Sequence, residues 1–258
     1  MQQGLFHEAQ RLKSCVKFMY TNPFQLQAAI VDLDGTMLHT LGDFEVALNR
    51  TLADLDLPPV TSALVARTVG KGSEHLIRSV LMHQLTLPEV KGLANVCDAR
   101  SVEHLYEPAW QRYQHHYLAI NGQFATVYPG VVEGLQQMCD AGLKLACLTN
   151  KPLSFAKPLL QAKGLDGFFA HVFGGDSFER KKPDPLPILK TCEALGVSPA
   201  QALMVGDSSN DAKAARAAGC PVVLVRYGYN HGEPVDGVDA DGHVDAFTHI
   251  PQALMARA

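Results

Sequence analysis

The chain has 258 residues, 47% of them apolar and 19% charged, with a net charge of −4. This composition fits a soluble globular protein with one large domain or two modest ones. It excludes several classes of function. No basic block points to nucleic acid, and no apolar run approaches the roughly 18 residues that span a bilayer. Residues 1–27 show neither the apolar run nor the small-residue cleavage site of a secretory signal. The six cysteines (Cys15, Cys97, Cys139, Cys147, Cys192 and Cys220) form no C-x-x-C pair and no zinc-spaced cluster. They read as free thiols packed as small hydrophobes, which points to the cytoplasm.

In chain order, residues 1–26 form an N-terminal extension ahead of the first strand. The run "AAIVDLDGT" at 28–36 then drives an apolar segment toward a core and ends it in two carboxylates. Buried carboxylates are costly unless paired or bound to a cation, so this strand end is either a turn to solvent or a site for a hard cation. From about 42 to 120 nothing reads as strand. Phe44, Leu48, Leu52 and Leu55 recur at helical spacing, as do Leu76, Ile77, Val80 and Leu81, and later Val102, Leu105, Tyr106, Trp110 and Tyr113. Pro58-Pro59 and Gly70 and Gly72 break this block, whose aromatic residues supply its own core.

After "NGQFATVYPG" the alternation returns: a helix over 131–140, a strand in "LKLACLTN", a helix closed by Gly164, and a short strand in "HVFGG". A helix in "PLPILKTCEALG" follows, with proline near its start and Gly196 past its end, then strand "ALMVGDS", a helix ending at Gly219, and strand "PVVLVRYG". Alternating strands and helices predict an α/β fold, a doubly wound, Rossmann-like parallel sheet with helices on both faces. The all-helical block is an insertion in it. The division is 27–41 and 122–258 for the α/β core and 42–121 for the helical cap domain.

Ligands of open parallel sheets sit at the carboxyl ends of the strands. Those ends carry Asp32-Leu33-Asp34-Gly35-Thr36, Thr149-Asn150-Lys151 and Gly206-Asp207-Ser208-Ser209-Asn210-Asp211, with Lys182 directly before Pro183 in "RKKPDP". Each alone has an ordinary explanation as a turn, a helix cap or a solvated lysine. Together they fit one chemistry. Asp32 and Asp207 offer carboxylates and the Asp34 turn a backbone carbonyl to Mg²⁺, while Lys182, Thr149 and backbone N–H groups offset the charge of a transferring phosphoryl group. An aspartate can itself be the nucleophile.

The set D-L-D-G-T, L-T-N, K-P and G-D-S-x-N-D resembles the four motifs of the haloacid dehalogenase superfamily of phosphotransferases, over about residues 28–230. Within it the chain is similar to the phosphoglycolate phosphatases, through "VGKG" at 69–72, "NGQFATVYPGV" at 121–131, "LTNKP" at 148–152 and "FGGDS" at 173–177 leading into "KKPDP". It departs from them at His39-Thr40, where Asp-Ser or Asp-Thr is common; His39 reads as a hinge-packing or solvent residue. The resemblance implies that Asp32 attacks phosphorus to form an aspartyl-phosphate and that Asp34 protonates the leaving group, then activates water. Asp34 also separates such phosphatases from the dehalogenases, which lack it. Thr149 and Asn150 would hold phosphate oxygens and Lys182 would neutralise Asp32 and the phosphoryl group. Asp32, Asp34 and Asp207 would bind Mg²⁺, with Asp211 supporting the metal's waters. The helical block would close over the site on hinges near 38–43 and 122–130. In "RTVGKGSEH", Lys71, with Arg67 and His75 close by, is either the contact for a substrate carboxylate or a solvated loop lysine.

The expected function is Mg²⁺-dependent hydrolysis of a small phosphorylated metabolite, foremost 2-phosphoglycolate, by a monomer or homodimer with no nucleic-acid or membrane partner. The alternatives are another small-molecule phosphatase or a sugar-phosphate mutase on the same scaffold. A phospho-aspartate signalling receiver also uses clustered aspartates, Thr and Lys, but its nucleophile ends a middle strand and no helical block follows. A P-loop ATPase is disfavoured because G-x-x-x-x-G-K-[ST] is absent from the sequence.

Overall fold

The structure, a computed structural model, describes residues 26–91 and 99–250. The expected extension up to residue 25, Cys15 and Cys97 lie outside these residues. Strand β1 (Ala28–Val31) is apolar throughout and buried on both faces. It lies in the interior of a six-stranded sheet, flanked by β4 (Lys144–Leu148) and β6 (Ala202–Gly206). With β5 (His171–Phe173), β7 (Val222–Val225) and β8 (Gly242–Val244) the order is β5-β4-β1-β6-β7-β8, every pair parallel. The period-two alternation of strands is visible in the packing. Ala29 and Val31 join one apolar cluster with helices α6 (Val131–Asp140) and α7 (Leu153–Ala162). Ala28 and Ile30 join the other, with α8 (Leu186–Leu195) and α9 (Ser209–Ala218).

The register decides where the chemistry falls. Val31 pairs with Cys147 on one side and with Val205 on the other, so β1, β4 and β6 end at one level. Because β4 and β6 flank β1 on opposite sides, the crevice where the winding reverses opens directly beyond Val31.

The inserted segment is helical as expected. It comprises α1 (Leu41–Ala53), α2 (Ser62–Thr68), α3 (Ser73–Thr86), the single turn α4 (Pro88–Lys91) and α5 (Ala99–Ile120). Phe44, Leu48, Leu76, Val80, Tyr113 and Tyr117 belong to the cap's own apolar cluster, which also takes in Phe155 from α7. Two short strands guard the entry and exit of this cap. β2 (Leu38–His39) pairs antiparallel with β3 (Thr126–Val127), Leu38 opposite Val127. The sequence reading includes neither this pair nor β8: two-residue strands carry no measurable periodicity, and β8 starts at the end of the Asp- and Gly-rich run at 236–242, which reads as loop. His39 is exposed, its ring 5.7 Å from that of Tyr128. No helix among the described residues is long and apolar enough to cross a membrane.

One buried carboxylate fastens the hinge. Asp43, fully buried in the first turn of α1, accepts hydrogen bonds from the backbone N–H of Gly122 and of Phe124, both at 2.7 Å. It thereby joins the chain entering the cap to the chain leaving it. Removing it strands one buried and one half-buried donor, each in a charge-assisted bond. Asp43→Ala should lose about 2–4 kcal/mol of stability. Thermal or denaturant unfolding checks this, and a change within about 0.5 kcal/mol, ordinary for a surface substitution, would mean that the hinge does not rely on it.

Candidate active site

Each strand end delivers its motif to the same crevice. Asp32 follows β1, Thr149, Asn150 and Lys151 follow β4, and Asp207 and Ser208 follow β6. Lys182 comes from the loop between β5 and α8. Its ammonium donates hydrogen bonds to Asp211 Oδ1 at 2.7 Å and to the carbonyl of Leu148 at 2.8 Å, and forms an ion pair with Asp32 Oδ1 at 2.9 Å. Asp211 sits in the first turn of α9, where a negative charge meets the positive end of the helix. Its Oδ2 accepts from Ser208 Oγ at 2.8 Å, from the Ser208 N–H at 3.2 Å and from the Asp207 N–H at 3.3 Å. Asp207 Oδ2 accepts from the Tyr229 N–H at 2.7 Å. Space here is tight: a Cβ on Gly35, whose φ is +83°, would lie 2.2 Å from Asp207 Oδ2.

Asp32, Asp207 and Asp211 are all buried, and one oxygen from each lies within 4.8 Å of the others. Burial pushes the Asp32 carboxyl up to about 7, against the opposing pull of Lys182. Burial also raises Asp207 well above the usual carboxylate range, with the charges of Asp211 and Asp32 adding to it. Three ionised carboxylates facing one ammonium leave two negative charges unbalanced in a buried site. That arrangement is unstable alone and suits a divalent cation. Donors that are all oxygen favour a hard ion such as Mg²⁺ over zinc. Both oxygens of Asp211 are occupied by protein donors, so Asp32 and Asp207 are the residues with capacity left to hold the ion.

Asp34 stands apart from this group. Both its oxygens meet the ammonium of Lys151, at 2.8 and 3.0 Å. That ammonium is roofed by two rings of the cap, 4.1 Å from the centroid of Phe44 and 5.0 Å from that of Tyr117. Thr149 Oγ1 accepts from the Lys151 N–H at 3.2 Å, which leaves its hydroxyl proton available. Asn150 is used differently from the expectation. Its amide donates to the carbonyls of Gly70 at 3.0 Å and of Lys182 at 2.8 Å, and its Oδ1 accepts from the Lys182 N–H at 3.0 Å. No side-chain donor of Asn150 remains for a phosphate oxygen.

The Gly70 carbonyl takes a second bond from Asn210 Nδ2 at 3.1 Å, and the Val69 carbonyl accepts from His231 Nδ1 at 3.0 Å. The cap loop is thus held down on the sheet ends, over a partly open cavity of about 30 Å³. Lys71 is not brought to the others: its side chain is exposed and does not line the cavity, and neither Arg67 nor His75 does. The backbone of this loop, not its lysine, reaches the site. Sequence reasoning assigned no role to Lys151, Asn210, Tyr229 or His231. For Lys151 a signal existed, a lysine directly after Thr-Asn at a strand end. For Tyr229 and His231 no motif marked the loop.

A family model for haloacid dehalogenase-like hydrolases matches residues 26–219. The phosphoglycolate phosphatase of Thiobacillus denitrificans is 40% identical over 237 residues, covering 92% of this chain and 98% of the relative. The plasmid-borne phosphoglycolate phosphatase of Cupriavidus necator is 39% identical over 92% of this chain and 96% of its own length. Among solved structures, that of a predicted phosphoglycolate phosphatase from Haemophilus somnus superimposes with a TM-score of 0.81 at 32% identity, covering 88% of this chain and 97% of its own. By the match along its length and by the four motifs that meet at its strand ends, this chain belongs to the haloacid dehalogenase-like hydrolases.

Proposed function

We propose that the protein is a Mg²⁺-dependent phosphatase that hydrolyses 2-phosphoglycolate to glycolate and phosphate. The observation that carries the chemistry is the buried array of Asp32, Asp207 and Lys182, with Asp34 held beside it by Lys151. The relatives named as phosphoglycolate phosphatases supply the substrate. The free cysteines among the described residues, Cys139, Cys147, Cys192 and Cys220, agree with a reducing cytoplasmic setting.

In this reading an Asp32 oxygen attacks phosphorus and the P–O bond to glycolate breaks. Asp34 gives its proton to the departing oxygen. Asp34 then takes a proton from the water that attacks the aspartyl-phosphate, releasing phosphate and restoring Asp32. Lys182, held by Asp211 and the Leu148 carbonyl and ion-paired with Asp32, sits beside the nucleophile and offsets its charge. Thr149 can donate its hydroxyl proton to a phosphoryl oxygen. Asp32 and Asp207 would hold the ion, which when bound neutralises charge on the phosphoryl oxygens. The seated cap excludes competing water from the first step.

Phosphate release from a panel of small phosphate esters, with and without a chelator, tests this function. 2-Phosphoglycolate should rank first, and chelation should abolish turnover until Mg²⁺ is restored. Preference for a sugar phosphate, or turnover indifferent to the chelator, would overturn the proposal. Asp32→Asn keeps the volume but loses the nucleophile, so Mg²⁺-dependent turnover should vanish while the thermal transition persists; activity above a trace would remove Asp32 from that role.

Asp34→Asn should lower turnover by about 10²–10⁴-fold on a substrate with a poor leaving group. An aryl phosphate, which needs little protonation to leave, should partly mask the loss in the first half-reaction. A loss under about tenfold on the poor leaving group would assign the acid elsewhere.

A further inference from the structure

We infer that Lys151 recognises the carboxylate of the substrate and so sets the preference for 2-phosphoglycolate over phosphate esters without one. The inference rests on the phosphoglycolate reading of the site and adds the residue that would read the non-phosphate end.

Among the described residues, the basic side chains lining the cavity are Lys151, Lys182 and His231. Two of them are unsuited to the task. Lys182 is already engaged by two carboxylates of the protein, Asp32 and Asp211, and by the Leu148 carbonyl. His231 gives its Nδ1 proton to the Val69 carbonyl, which can only accept. Burial and the neighbouring charge of Lys71 hold this imidazole below its ordinary range, so it stays neutral. Its buried Nε2, which has no partner, is then a bare acceptor that a carboxylate would avoid.

Lys151 differs on each count. Its side chain is 1% exposed, yet only two of its three N–H donors are committed, both to Asp34. The rest of its surroundings are the faces of Phe44 and Tyr117, which tolerate the ammonium but offer no hydrogen-bond acceptor of comparable strength. Among the described residues, one donor of this buried cation therefore has no hydrogen-bond acceptor.

The position follows from the chemistry assigned to Asp34. As the acid, Asp34 must touch the ester oxygen of the leaving group. In 2-phosphoglycolate the carboxylate stands a single methylene beyond that oxygen. Lys151 Nζ lies 2.8 and 3.0 Å from the two Asp34 oxygens, so a group that short a step from the ester oxygen falls within its reach. Phe44 and Tyr117 both come from the cap. The dry environment that strengthens this contact exists only with the cap seated, which ties recognition of the carboxylate to closure. A substrate lacking it leaves the third donor unsatisfied in a buried site.

The competing role is purely local: Lys151 would orient Asp34 and never meet substrate. The two separate by substrate. Steady-state kinetics would be run with Mg²⁺ on 2-phosphoglycolate and on ethyl phosphate, for the wild type, Lys151→Met and Lys151→Gln. Methionine keeps the apolar packing against Phe44 and Tyr117, while glutamine keeps a donor for Asp34 but no charge. Should the methionine variant not fold, the glutamine variant carries the same comparison. Beyond any loss on ethyl phosphate, kcat/KM for 2-phosphoglycolate should fall by a further tenfold to a hundredfold or so, chiefly through KM, as expected for one charge-assisted hydrogen bond. Equal losses on the two substrates, in a wild type that prefers 2-phosphoglycolate, would overturn the inference and leave Lys151 acting through Asp34 alone. A wild type with no such preference would overturn the substrate reading itself, and the inference with it.

Discussion

Three carboxylates buried together beyond the ends of β1 and β6 are the constraint around which this molecule is arranged. Asp32, Asp207 and Asp211 repel one another at distances where water cannot screen them. Their proximity is tolerable because of what surrounds them. Lys182 bridges Asp32 and Asp211, the N-terminus of α9 receives Asp211, and the Tyr229 N–H receives Asp207. The register of β1 against β4 and β6 makes those partners coincide, since a one-residue slip would turn Asp32 toward a helical face. The backbone must also come close: a Cβ at Gly228, like one at Gly35, would collide with Asp207.

The same cluster extends its influence to the cap. The short loop after β7 touches four parts of the molecule in three residues. The Tyr229 N–H bonds Asp207, and its hydroxyl accepts from the Thr40 N–H at the hinge, at 2.7 Å. Asn230 Oδ1 accepts from the Ser209 N–H at the start of α9, at 2.9 Å. His231 reaches the Val69 carbonyl in the cap. Asn230 and His231 hold left-handed backbone, with φ of 31° and 56°, a conformation that costs about 1–3 kcal/mol per residue and persists when its surroundings impose it. Those bonds are the imposing surroundings. Position of the cap, geometry of the hinge and placement of Asp207 are therefore linked through a single strap of chain.

What the sequence makes legible follows from these same physical terms. β1, β4 and β6 are readable because strands buried on both faces must be apolar runs, and each run stops abruptly at a polar motif. The helical insertion is readable from its 3.6-residue spacing and its proline and glycine breaks. The β2–β3 pair and β8 are not, since their few residues are strands only because a neighbour supplies the ladder. In the site, Asp32, Asp207 and Lys182 converge as the motif order suggests. Asn150 and Lys71 show the limit of reading residue types without coordinates. An amide after a strand can serve a ligand or the backbone, and here both its N–H groups serve carbonyls. A lysine between glycines suggests a ligand contact, but the loop turns its backbone inward and its side chain outward.

Lys151 is ambiguous in the sequence for a related reason: a lysine after Thr-Asn at a strand end can face a ligand or solvent, and only the fold lays two aromatic rings of the cap over it. The contrast with Lys182 explains how one crevice can use two buried lysines without redundancy. Lys182 is held between two carboxylates and a carbonyl of the protein itself. Lys151 is left one acceptor short, so its environment is completed by whatever enters. A cation whose carboxylate partners are the protein's own makes part of the frame. An unsaturated one discriminates among ligands, because the cost of its missing partner falls on every ligand that fails to supply one.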